Sequence, residues 1–175
     1  MKAIVYTKYG PPGVLQLTEL EKPTPKDNQV LVKVNAASVN AMDWRRFTMT
    51  PILVRLMGGL LKPKNTSLGV DLAGQVEAVG ATVKQFQPGD EVFGVAPAAF
   101  AEYVCAGETK LALKPANVSF EAAAAVPIAA FTALQGLRDK GQIQTGEKVL
   151  INGASGGVGT FAVQIAKSFG AEVTA

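Results

Sequence analysis

The residues with the clearest chemical potential lie towards the end of the chain, in Ala154-Ser155-Gly156-Gly157-Val158-Gly159. An apolar run, Lys148-Val149-Leu150-Ile151, precedes them, and apolar residues at helical spacing follow as far as Phe169. That order predicts a strand, a tight turn and a helix. A turn of this kind brings the backbone close to a pyrophosphate, and it aims the free N–H groups and the positive end of the helix dipole at the anion. Both requirements favour glycine. Gly156 and Gly159 take the second and third glycine positions, whereas Ala154 stands at the first, where its Cβ restricts a turn that glycine would take freely. Gly170 stops the helix, and Ala171-Glu172-Val173-Thr174 opens a second strand. The implied chemistry is the cradling of a dinucleotide's phosphates by Ser155, Gly156, Gly157, Val158 and Gly159. A glycine-rich turn that binds nothing is the competing reading, and the strand and helix on either side weigh against it.

Composition narrows the remaining classes. The 175 residues are 48% apolar and 18% charged, with a net charge of +3. Lysines and arginines are scattered, with no long basic run, which argues against a nucleic-acid partner. The single cysteine, Cys105, excludes an internal disulfide and fits a reducing compartment, so a cytoplasmic location is expected. Its plainer reading is a small apolar residue on a strand. No histidine is present, which removes the commonest zinc ligand and the most usual general base. The first residues look like a strand rather than a signal peptide. The apolar stretch 51–61 is too short, and too interrupted by Arg55 and two glycines, to span a bilayer; it reads as a short helix or covering loop.

The elements that must carry these residues fall into two groups. From Lys2 to about Pro115 the chain predicts short strands separated by Gly, Pro, Asn and Asp turns: 2–7, 15–20, 29–40, 71–79, 91–95, 99–106 and 110–113. Within 29–40, Val30, Val32 and Val34 share one face, with Leu31 and Lys33 on the other. The spaced pattern from Gly74 to Val92 has Val83 and Phe86 packing inward and Gln87-Pro88-Gly89-Asp90 reversing the chain. Such strands suggest a closed or nearly closed barrel. Then the character changes: Ser119 is placed as an N-cap, Glu121 lies in the first turn, and Pro127 divides an alanine-rich segment into two helices, the second carrying Phe131, Leu134 and Leu137. The expected boundary places one domain at 1–118 and a second at 119–175. With one βα unit and little more, the second domain is incomplete, and Ala175 is expected to be the end of a fragment.

The order of these pieces resembles the medium-chain dehydrogenase/reductase superfamily, and within it the zinc-independent, ζ-crystallin-like quinone oxidoreductases. The Gly74-to-Val92 pattern and the later Ala154-to-Gly159 turn carry the resemblance. It implies an α/β fold with a large β part: a GroES-like, partly closed β-barrel followed by the first βα(β) unit of a Rossmann domain. The zinc alcohol dehydrogenases of the same superfamily place a zinc cysteine where Asn40 stands and a histidine where Val70 stands; with one cysteine and no histidine, no zinc site is expected. By resemblance, Asn40 and Asp43 correspond to the family's Asn-Pro-x-Asp segment beside the nicotinamide, with Ala41 in place of the proline. Asp43 is read either as a direct participant or as a turn-capping carboxylate. Arg45 stands where many relatives carry a tyrosine. Thr132 matches a threonine that contacts the cofactor, or else it is a helix hydroxyl bonded to the preceding turn.

The resemblance therefore implies an NAD(P)H-dependent oxidoreductase that reduces a small-molecule quinone or α,β-unsaturated carbonyl by hydride transfer. Family habit favours NADPH over NADH. The acidic residue that reads the ribose would lie about 20 residues beyond the glycine turn, at or past Ala175. No zinc, nucleic acid or membrane span is expected, and a homo-oligomer is. A non-catalytic nucleotide- or partner-binding protein of the same fold, or an inactive fragment of the reductase, is the alternative.

Overall fold

A computed structural model describes residues 1–48 and 62–175. The helix or loop expected at 51–61 lies outside the described residues. The chain divides into two compact units, Met1–Ala125 and Val126–Ala175.

The first unit is built on antiparallel strands. β1 (Lys2–Tyr6) pairs with β2 (Leu15–Glu19), the chain turning between them through Pro12–Val14. β3 (Gln29–Ser38), β4 (Asp71–Val79), β5 (Glu91–Val95), β6 (Tyr103–Gly107) and β7 (Leu111–Leu113) form one sheet in the order β6-β3-β4-β5-β7. Closure of the barrel is partial: β1 meets the segments that lead into β6 and β4 through single antiparallel bridges, Ala3 to Ala101 and Val5 to Ser67. The expected strand at 99–106 is shorter, because its first residues form an isolated bridge at Ala101 rather than a continuous ladder before β6 begins at Tyr103. The interior holds Val30, Val32, Leu72, Val76, Phe86, Val92 and Val104, with Val34, Val79 and Val83 packed against it. β-Branched residues on alternating strand positions fill such an interior with little rotamer entropy to lose. Leu31, on the opposite face of β3, is also buried.

Two features of this unit position polar groups. The pairing of β3 with β4 is shifted between Val34 and Ala36, and downstream of that shift the register sets Ser38 opposite Asp71. The strand ends there and the chain enters α1 (Ala41–Thr48), a helix absent from the sequence expectation. Phe47 of α1 is buried with Tyr6, Val14 and Leu68, which fixes the helix to the β1 wall. α2 (Phe120–Ala124) starts at Ser119, whose hydroxyl accepts the Ala122 N–H at 3.2 Å, as the sequence predicts. Its Ala123 and Ala124 pack on Ala73 of β4.

In the second unit, α3 (Pro127–Leu134) begins with Pro127 in its first turn, where the missing N–H costs nothing. It runs into a π-helical turn, Gln135–Lys140. β8 (Lys148–Leu150), α4 (Gly157–Ser168) and β9 (Glu172–Thr174) follow, with β8 and β9 parallel and Val149 opposite Val173. α3 packs against α4. Apart from Pro127, the buried positions of these two helices are small, Ala129, Ala133, Gly159, Ala162 and Ala166, whereas Phe131 is 57% exposed. Among the described residues no helix is long and apolar enough to cross a membrane.

Candidate cofactor and substrate site

The β8–α4 turn has the backbone geometry that the glycines were expected to provide, distributed differently. Gly153, not the residue at Ala154, takes the left-handed conformation, at φ +77°. Ala154 therefore needs no strained backbone, and the departure from glycine there is absorbed one residue earlier. The Gly156 N–H closes the turn on Gly153 O at 3.0 Å. Gly159 is buried, and a Cβ on it would lie 2.2 Å from Gly153 O and 2.6 Å from Ala154 Cα, so only glycine lets the helix approach the turn this closely. Gly156 caps α4, and Gly157, Val158 and Gly159 are its first three residues. Their N–H groups have no partner four residues back within the helix, and the dipole of a twelve-residue helix adds to their positive field. Nothing lies within 4 Å of a Cβ built on Gly157, so the space beside that residue is open. Ser155, Gly156, Gly157 and Val158 are exposed around it. A concave surface lined by Gly153, Ala154, Ser155, Thr160, Val163 and Gln164 adjoins the turn.

Thr132 lies exposed on α3, where its hydroxyl donates to Ile128 O at 2.6 Å. That is the bond to the preceding turn foreseen as its structural role, and it leaves the oxygen lone pairs for any further contact.

Asn40 and Asp43 come together at the start of α1. The Asn40 N–H donates to Asp43 Oδ2 at 2.8 Å, and the Asp43 N–H donates back to Asn40 O at 2.9 Å. This reciprocal pair caps the helix in the manner of an N-cap residue and an acid three positions on. Asp43 is 1% exposed, and its Oδ1 has no hydrogen-bond partner among the described residues. The side chain of Asn40 turns the other way. Its Nδ2 donates to Asp71 Oδ2 at 3.0 Å and to Ser38 Oγ at 3.4 Å, and Ser38 Oγ donates to the same Asp71 oxygen at 3.1 Å. Asp71 is completely buried. It heads β4, where Ala96 N–H donates to Val70 O and Phe100 N–H to Leu68 O on the residues just before it. Sequence reasoning missed Asp71 and Ser38. The available signal was an acid inside the otherwise apolar Leu68-Gly69-Val70-Asp71-Leu72-Ala73, since a strand residue of that kind is retained only when its carboxylate is satisfied.

Arg45 is exposed on α1 and lies over the Trp44 ring, 5.7 Å from its centroid. Cys105 sits on β6, where burial pushes its thiol above the ordinary value. Among the described residues no group of three or more His, Cys, Asp or Glu side chains could hold a metal ion.

The pattern of the alcohol dehydrogenase GroES-like domain family matches residues 26–134. The chain belongs to that family. Within the medium-chain dehydrogenase/reductase superfamily it falls on the quinone oxidoreductase branch, together with the relatives it matches. It is 41% identical to the quinone oxidoreductase of Sus scrofa, over 99% of this chain and 51% of that protein. It is 40% identical to the 2-methylene-furan-3-one reductase of Solanum lycopersicum, over 100% of this chain and 46% of that one. Among solved structures, the Escherichia coli quinone oxidoreductase complexed with NADPH superposes with a TM-score of 0.85 at 32% identity, over 99% of this chain and 51% of that chain. This member of the family thus spans about half the length of the curated relatives it matches.

Proposed function

We propose that the protein is a zinc-independent, NADPH-dependent oxidoreductase acting on a quinone or an α,β-unsaturated carbonyl. The observation that carries this reading is the Gly153-to-Gly159 turn: a left-handed glycine, a helix drawn against it, and first-turn N–H groups that the helix itself leaves unbonded. Those groups suit the pyrophosphate of a dinucleotide. The NADPH bound by the Escherichia coli relative and the quinone and enone substrates in the relatives' names support the choice of cofactor and substrate class. A zinc site does not fit the residues, with no histidine, one cysteine on β6, and Asn40 and Val70 at the two ligand places.

Bound here, the cofactor would supply a hydride. Everything else falls to the chain. Ser155 and the Gly156-to-Gly159 backbone would hold the pyrophosphate, Thr132 would add a contact from α3, and Asn40 would position the nicotinamide end through its amide. Positioning of this kind lowers the barrier by removing the entropy of encounter. Asp43 acts through Asn40 by fixing the start of α1. Substrate that accepts a hydride is left with negative charge on oxygen, and the proton that completes the reduction comes from solvent or from an unidentified donor. Arg45, in the place of the relatives' tyrosine, gives no neutral donor for that step.

A fluorescence titration of the chain with NADPH and NADH, run beside Gly156→Asp, tests the reading. Saturable binding is expected, tighter for NADPH, and lost in the variant, because a carboxylate beside the pyrophosphate repels it. Failure of either dinucleotide to bind sinks the proposal. Binding without NADPH oxidation by any quinone or enone in a broad panel favours the non-catalytic nucleotide-binding alternative, for which the arginine at position 45 is the supporting observation.

A further inference from the structure

The buried side chains of α1, Asp43 and Phe47, lie one turn apart on a single line of the helix. The remainder of the helix looks outward. Met42 and Trp44 are 42% and 43% exposed, Arg45 is exposed over the Trp44 ring, and Val39, two residues before the helix, is 78% exposed. Two other segments of the same unit close on α1. The Gly10 N–H donates to Phe47 O at 2.9 Å, the Tyr6 N–H donates to Thr66 O at 2.9 Å, and the Tyr6 and Phe47 rings meet edge-on with centroids 6.5 Å apart. Segments 8–10, 45–47 and 64–66 therefore gather around Tyr6.

The charges on these segments have one sign. Lys8, Arg45, Lys62 and Lys64 are exposed and Arg46 is half-buried, and none of the five forms a salt bridge among the described residues. Apart from the buried Asp43, no acid occurs before Glu19 or between Asn40 and Asp71. The acids near β1 stand at its other end, where Glu19 is paired opposite Lys2 and Glu102 Oε2 accepts the Lys2 N–H at 2.7 Å. Cations that are scattered along the sequence are thus collected by the fold, on the side where α1 leaves apolar side chains uncovered.

We propose that this face, Val39, Met42 and Trp44 with the cations around them, docks the protein on a membrane surface that carries anionic lipid. A small soluble anion would use the cations and leave the apolar side chains wet, and an apolar partner would leave the cations unpaired. A bilayer surface satisfies both, with Lys and Arg among the headgroups and Trp at the boundary with the acyl chains. The inference stands apart from the cofactor reading, since it uses no residue of the glycine turn.

Trp44 is the chain's one tryptophan, so its emission reports on this face. The test is co-sedimentation and Trp44 fluorescence with vesicles of phosphatidylcholine, alone or mixed with phosphatidylglycerol. Partitioning onto the mixed vesicles is expected, weakening as added salt shortens the screening length, with a blue-shifted emission that brominated acyl chains quench. Lys8→Gln combined with Lys64→Gln is expected to weaken partitioning about thirtyfold, about one kcal/mol for each cation near the surface. Lys84→Gln combined with Lys110→Gln removes the same charge at the far end of β3, where Glu108 accepts the Lys84 N–H and donates its own N–H to Asn28 O, about 30 Å along the strand from Ser38. That control is expected to stay within about threefold of the parent. All four lysines are exposed, and circular dichroism checks that both variants fold. No partitioning onto the mixed vesicles, equal partitioning onto phosphatidylcholine alone, equal losses in the two double variants, or binding that leaves Trp44 emission unmoved overturns the proposal. So does a Trp44 response to heparin without one to the vesicles, which would assign the face to a soluble polyanion.

Discussion

At the scale of single residues, two of the three glycines in Gly156-Gly157-Val158-Gly159, Gly157 and Gly159, look interchangeable and do different work. Gly159 faces backbone: an added Cβ would stand 2.2 Å from Gly153 O and 2.6 Å from Ala154 Cα, atoms that move only if the turn moves. Gly157 faces nothing within 4 Å and has an ordinary helical backbone. Gly159→Ala is therefore expected to destabilise the second unit by about 2 kcal/mol, the cost of forcing extra volume into a filled space. Gly157→Ala should stay within about 0.5 kcal/mol of the parent. Urea denaturation followed by circular dichroism distinguishes them, and equal stability of the two variants would refute the close approach of helix and turn. The glycine pattern was legible in the sequence. That Gly153 supplies the left-handed residue was not, because the motif is spaced from its later glycines and φ leaves no mark in a string of letters. Asp43 and Asp71 show the same limit from another side. An acid at the third position of a helix caps it, and Asn40 with Asp43 states that signal, whereas the role of Asp71 appears only when the β3–β4 register brings Ser38 and Asn40 to it.

Among the elements, strands with alternating apolar residues could be read almost residue by residue. β4 and β5 have the bounds expected from the Gly74-to-Val92 pattern, because a two-residue period and a Pro-Gly-Asp turn between them leave little choice of register. α1 was not legible, being only eight residues long with one apolar side chain, Phe47, committed to the interior. Its attachment to β1 makes a prediction about pH. Tyr6 is buried beside Phe47 and Tyr9; burial first, then Tyr9, raises its pKa above the ordinary 10.0, with Arg46 opposing. Burial on β6 likewise raises Cys105 above 9.0. Both groups are neutral when protonated, so the fold favours the protonated form. Their contribution is complete below the unfolded-state values and is lost as pH climbs through the higher folded-state values. Stability should hold to about pH 9 and then decline. Cys105→Ala should remove the earlier part of that decline, so that wild type loses ground against the variant as pH passes 9. Denaturant midpoints measured from pH 7 to 11 check this, and a wild-type-to-variant difference that stays constant across the range would refute the Cys105 part.

For the molecule as a whole, the two units differ in what holds them. The first encloses Val30, Val32, Leu72, Val76, Phe86 and Val92, large side chains at the centre of a five-stranded sheet. The second, 50 residues long by its bounds Val126–Ala175, buries mainly alanines together with Pro127 and Ile143. Its two three-residue strands have Leu150 77% exposed. Burial of apolar area stabilises by about 25 cal/mol per Å², and an alanine methyl offers a small fraction of what a leucine or phenylalanine side chain does. A unit of this size with so small an interior is marginal against its own chain entropy. Hydrogen exchange should therefore separate the units: amides of β3 and β4 should be the slowest in the chain, and those of β8, α4 and β9 faster by at least about a hundredfold, a gap of about 3 kcal/mol in opening free energy. Saturating NADPH, if the glycine turn binds it, should slow exchange in α4 and leave β3 and β4 unchanged in their interior positions, because a ligand stabilises the state it binds. Equal protection in the two units without ligand would mean that the second is held by more than its own core, and the division into separately stabilised bodies would be wrong.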